Sequence, residues 1–198
     1  MTPPAAKTQR ADCCVVGAGP AGVLLSLILS RLGISVALVE AQGDFDRDFR
    51  GDAIFPWVLE TLNELGLADR VLEMARSKVR GYIYDTSQGE SLVTDYGRLR
   101  SPYNFVTVIP QSELLDLLVS QAPQSHFQVF MGTSVQELIE EGGAVRGVRC
   151  RTREGTTEIR ATLTVGADGR FSRVRKLGGF DEVATWPTRF DVLWFRLP

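Results

Sequence analysis

Gly17, Gly19 and Gly22 stand in the run Gly17-Ala18-Gly19-Pro20-Ala21-Gly22, which has the spacing G-x-G-x-x-G. Each glycine has a mechanical task in gripping a pyrophosphate. The first makes the tight turn, the second lets phosphate oxygens reach backbone N–H groups, and the third lets a helix pack closely on the preceding strand. Ala18, Pro20 and Ala21 complete the loop, and a helix opening at Pro20 would turn its positive end toward the anion. Glu40 lies 18 residues after Gly22, close to the ~20-residue offset at which a carboxylate accepts ribose hydroxyls. A 2′-phosphate would be repelled there. A second turn, Gly166-Ala167-Asp168-Gly169, supplies another carboxylate, Asp168, able to accept hydroxyl protons from a sugar alcohol, and Gly169, which admits close backbone approach. The same letters also spell an ordinary Asp-Gly β-turn. The residues themselves leave NAD and FAD equally open, since both present an ADP half to such a loop.

The elements that must position these residues follow from the apolar pattern. Asp12 to Val16 is a short β-prone run, Ala21 to Leu32 a helix apolar on most sides and stopped by Gly33, and Ile34 to Val39 a continuous apolar run that ends at Glu40. This is a βαβ unit with strands buried on both faces. Residues 41–53 are charged and irregular and read as a loop. Pro56 opens a packing helix with Leu59, Leu62 and Leu65, and a second follows from Leu67 to Arg76. Ser87-Gln88-Gly89 between Val79–Asp85 and Glu90–Tyr96 signals a hairpin. A β run at Phe105–Ile109, a helix from Gln111 to Ala122 and a strand at Phe127–Met131 come next. Glycine turns at Gly142-Gly143 and Glu154-Gly155 divide Ser134 to Ala161 into a three-stranded antiparallel meander, with Arg149, Arg151 and Arg153 on a solvated face. Thr162 to Val165 is a further apolar run, leading to the Asp-Gly turn and a short basic helix. Thr188 to Pro198 is an apolar strand candidate whose open edge predicts self-association.

The chain has 198 residues, 44% hydrophobic and 23% charged, with 22 Lys and Arg against 24 Asp and Glu. A net charge of −2 does not steer nucleic acid or an anionic membrane. No run reaches the ~18 apolar residues of a membrane span, and residues 1–10 form a polar leader without the apolar centre of a secretory signal. Cys13, Cys14 and Cys150 have neither metal-ligand nor disulfide spacing and read as buried thiols of a reducing, cytoplasmic compartment. With His126 the single histidine, a metal cluster is not expected.

Val15-Val16 with the first glycine loop, Glu40, and above all Gly166-Ala167-Asp168-Gly169-Arg170 followed by Ser172 and Arg175 resemble the aromatic-hydroxylase class of flavoprotein monooxygenases, the p-hydroxybenzoate hydroxylase fold. The resemblance implies an α/β, Rossmann-like FAD-binding domain with a parallel sheet and three-stranded antiparallel meander over residues 11–180, and the beginning of a substrate-domain sheet at 181–198. It implies FAD as cofactor, NADPH or NADH as electron donor, O2 and a small aromatic or electron-rich substrate hydroxylated through a flavin C4a-hydroperoxide. No side-chain nucleophile is implied. The Asp168-Gly169 turn would lie on the flavin side of FAD. Arg50, in Phe49-Arg50-Gly51-Asp52, is similar to an arginine near FAD in that family, and Gln111 to an Arg or Gln touching the cofactor. Gln111 equally suits a helix cap. Val135 resembles an adenine-side apolar contact and equally suits the core.

The family's third motif, a Gly-Asp segment beyond the Asp-Gly turn, is not present in this sequence. That predicts a truncated chain that holds FAD weakly or not at all and does not turn over alone. Leu193-Trp194-Phe195-Arg196-Leu197-Pro198 lacks both tryptophan positions of the halogenase pattern Trp-x-Trp-x-Ile-Pro. An isoprenoid reductase and a non-catalytic nucleotide-binding module remain as alternative readings.

Overall fold

The computed structural model describes residues 7–46 and 52–180. Arg50 and the segment 181–198, with its expected apolar strand and second domain, lie outside the described residues. In chain order the elements are β1 (Lys7–Val16), α1 (Pro20–Arg31), β2 (Val36–Val39), β3 (Ala53–Ile54), α2 (Pro56–Glu64), α3 (Ala68–Glu73), β4 (Ser77–Val79), β5 (Gly81–Thr86) and β6 (Gly89–Asp95). A 3-10 turn, Tyr96–Arg98, leads to β7 (Val106–Val108), α4 (Gln111–Ser120), β8 (Phe127–Phe130), β9 (Ser134–Glu141), β10 (Ala144–Thr152), β11 (Gly155–Gly166) and α5 (Arg173–Leu177).

The main sheet has the order β8-β2-β1-β11-β10-β9. Its first four strands are parallel, while β10 and β9 run antiparallel as the expected meander. Two small sheets, β3-β7-β4 and β5-β6, stand apart from it. From Cys13 to Val16 successive side chains enter opposite layers. Cys13 and Val15 join Leu27 of α1, Leu59 and Leu62 of α2 and Leu115 of α4; Cys14 and Val16 join Val148, Cys150, Ile159 and Val174. Burial on both faces is what a central parallel strand requires. It also pushes the Cys14 and Cys150 thiols up to about 12, with Cys150 and Cys13 adding to the effect at Cys14.

Four sequence expectations change. Lys7 to Arg10 are strand, not leader: they pair in parallel with Thr157 to Arg160, because a backbone ladder needs no apolar side chains. Ala53, assigned to the end of the charged loop, pairs with Val108 and with Ile54 forms β3 against β7. Thr162 to Val165 is not a separate strand but the continuation of the third meander strand, since β11 bonds β10 over its first half and β1 along its length. Of the meander arginines, Arg149 is not simply solvated: it bridges Glu137 and Glu158. Among the described residues no helix is long and apolar enough to cross a membrane.

Candidate nucleotide cleft

The parallel topology brings the C-terminal ends of β1, β2 and β11 side by side, so that the loops after Val16, Val39 and Val165 must meet. They enclose a cleft of ≈ 520 Å³ lined by Gly17, Gly19, Pro20, Ala21, Glu40, Val135, Asp168 and Gly169, among others. This is within the range of small-molecule sites, ~300–1,000 Å³.

The glycines of the first loop divide their work. Gly17 has φ +104, and a Cβ there would stand 2.5 Å from the Ala167 carbonyl oxygen. A Cβ on Gly22 would stand 1.9 Å from the Gly17 carbonyl oxygen. These two positions permit backbone to touch backbone: Gly17 N–H donates to Val39 (2.7 Å), and Ala167 N–H to Val16 (2.7 Å). The two turns are therefore one packed unit. Gly19 differs, because its Cβ would meet nothing within 4 Å. It caps α1 without a side-chain hydrogen bond. Pro20 has no N–H and Val23 N–H donates to Gly19 (2.9 Å), so helix geometry leaves the amides of Ala21 and Gly22 to an outside acceptor.

Glu40 is buried, and its carboxylate accepts from Ala18 N–H (2.8 Å) and Gln42 N–H (2.9 Å). Those bonds fix it in the cleft wall against the first loop. The start of β9 is tied to the same point, since Thr133 N–H donates to the Glu40 carbonyl (2.7 Å). This brings Val135 to the cleft, where it is also part of the core. Val135 thus packs in the core and lines the cleft with the same side chain.

Asp168 is turned toward its own chain. Its carboxylate accepts from the Ser172 hydroxyl, from Arg173 N–H (2.6 Å) and from Val174 N–H (3.1 Å), while Ser172 Oγ accepts from Arg175 N–H (2.9 Å). The N-terminus of α5 is thereby saturated. Gly169, at φ +78, makes the turn that permits this. Gln111 opens α4, where its N–H donates to the Asp52 carboxylate (3.2 Å); it does not line the cleft. Phe171, Arg173, Thr133 and Ser134 do line it, and sequence reading passed over them. Their signal was adjacency to Asp168-Gly169 and to Val135.

These residues fit the ADP half of FAD. The open space at Gly19 beside two unclaimed amides suits a phosphate, and the fixed Glu40 suits a ribose without a 2′-phosphate. The profile of the FAD binding domain family matches residues 10–196. The chain is 39% identical over 198 residues to a 6-methylpretetramide 4-monooxygenase of Streptomyces rimosus, covering 98% of this chain and 47% of that protein. It is 28% identical over 183 residues to a probable NADH-specific resorcinol 4-hydroxylase of Rhodococcus jostii, covering 89% of this chain and 34% of that one. Among solved structures, the OxyS anhydrotetracycline hydroxylase of Streptomyces rimosus superposes with a TM-score of 0.75 at 27% identity, over 87% of this chain and 34% of that one. The chain thus spans about half or less of the length of these relatives. Because the family match takes in both strand-end turns and nearly all residues between the termini, the chain belongs to the FAD binding domain family.

Proposed function

We propose that this chain is the dinucleotide-gripping part of an FAD-dependent, NAD(P)H-consuming monooxygenase that hydroxylates an aromatic or other electron-rich small molecule. The observation that carries the reading is the convergence of the Gly17 to Gly22 loop, its uncapped helix and Glu40 on one cleft. Bound flavin would supply the redox chemistry, taking reducing equivalents from the nicotinamide and activating O2. The protein's own residues bind and orient. The Ala21 and Gly22 amides hold a phosphate of the pyrophosphate, Glu40 accepts from the adenosine ribose, and Val135 borders the adenine side. Asp168-Gly169 shapes the wall toward the flavin. Gln111 and Arg50 belong to the proposed set through family resemblance. The substrate class follows the relatives' names, and three free, buried thiols support a cytoplasmic location. Self-association through the apolar run from Thr188 to Pro198 belongs to the same proposal.

The test is titration of the 198-residue chain with FAD, ADP and NAD, followed by flavin fluorescence quenching and calorimetry. FAD and ADP are expected to compete for one site. Gly19→Leu, which fills the open space, should abolish both while leaving the melting temperature unchanged. FAD binding that survives Gly19→Leu would overturn the assignment of the cleft.

A further inference from the structure

The opposite end of the parallel sheet carries a second concave site, of ≈ 440 Å³, lined by Arg10, Asp12, Ser35, Glu141, Arg146 and Arg160. We propose that it binds a small, multiply charged oxyanion through the guanidinium forks of Arg10 and Arg146, beside Arg160.

Three observations carry this. Arg10 of β1 and Arg160 of β11 are register partners on adjacent parallel strands, which sets two guanidinium-bearing side chains next to each other on one face at a cost in like-charge repulsion. Next, β10 is irregular at this point. Val145 faces Glu140 and Val148 faces Leu138, so Arg146 and Gly147 together oppose a single residue of β9. Such a bulge re-aims a side chain, and here Arg146 lines the same hollow as Arg160. The bulge depends on Gly147, whose φ is +136 and whose Cβ would stand 2.1 Å from the Ile159 carbonyl oxygen. Finally, two of the three guanidiniums are unpaired among the described residues, although the carboxylates of Asp12 and Glu141 line the same hollow. Arg160 pairs with Glu141 and Glu158, and Asp12 accepts from Ser35 N–H (2.9 Å). Arg10 and Arg146 have no carboxylate partner among the described residues. Two unpaired guanidiniums beside a third suit the bidentate capture of phosphate or carboxylate oxygens. The site is separate from the nucleotide cleft and does not rest on the FAD reading.

The experiment is a side-chain NMR titration of the 198-residue chain with inorganic phosphate and, separately, with succinate, against sodium chloride at matched ionic strength. Saturable shifts of the Arg10, Arg146 and Arg160 Nε–H signals are expected with at least one oxyanion, and only linear drift with chloride. Saturation by phosphate alone or succinate alone names the class of the ligand. The double variant R10Q/R146Q should weaken binding on the order of tenfold or more, and R10K/R146K, which keeps the charge but not the forks, should bind between the two. Equal melting temperatures show that the variants are folded. Chloride-like drift with both probes, or unchanged affinity in R10Q/R146Q, would overturn the site.

Discussion

Two helices begin beside the cleft, and they treat their N-termini in opposite ways. At α1 the cap is Gly19, with no side-chain acceptor and open space around it. At α5 the cap is Ser172, and Asp168 and Ser172 between them accept from the amides of Arg173, Val174 and Arg175. One helix end is left able to receive an anion, and the other has its own. Turns of similar composition at the ends of two parallel strands therefore do different work. The first leaves its helix amides open to the cleft, while the carboxylate of the second is an internal brace that fixes the wall.

The contrast breaks most severely where the two turns touch. Gly22→Ala and Gly17→Ala each drive a Cβ into backbone, and Gly17→Ala adds strain at a positive φ. We expect each to cost about 3 kcal/mol or more, read as a fall in melting temperature on the order of 6–12 °C. A drop within 1 °C would show that the turns are not packed as one unit. Asp168→Ala should cost about 1–2 kcal/mol, the size of a lost helix cap, and should loosen hydrogen-exchange protection of Arg173 to Arg175 first. If Asp168 were instead chiefly a ligand group, stability would hold and only FAD affinity would fall.

Gly19→Ala sharpens the comparison from the other side. Its stability should stay within about 0.5 kcal/mol, whereas ADP affinity should fall, because the methyl group would occupy the space proposed for phosphate. The smallest effect is expected at the far end of β11. Hydrogen bonds from Arg149 hold the Glu158 carboxyl below its ordinary value, outweighing its desolvation, and Arg160 adds to the lowering. A lowered folded-state pKa contributes stability above the unfolded pKa, and that contribution is lost as pH falls through the folded value. Glu158→Gln should therefore flatten the acid limb of the stability profile and leave both turns, and FAD affinity, unaltered.

Much of this is legible in the amino-acid sequence. The period of the apolar runs gave the βαβ unit, the spacing of Gly17, Gly19 and Gly22 gave the loop, and Glu40 fell at the tip of its strand because β2 ends there. Arg10, read as part of a polar leader, shows the limit, since strand pairing through backbone alone leaves no apolar pattern. The role of Asp168 shows another: its partners are amides that exist as donors only once α5 has formed.

Local chemistry in the chain determined which residues turn, which are buried and where backbone is left uncovered by side chains, because those are properties of single side chains and their spacing. The fold alone decided that Gly17 needs its missing Cβ to meet Ala167, that Gly19 needs its own to leave room, and that Arg10 stands beside Arg160. The residues of each pair that meets are about 150 positions apart in sequence, and only a parallel register, set by burial on both faces of the sheet, brings them together.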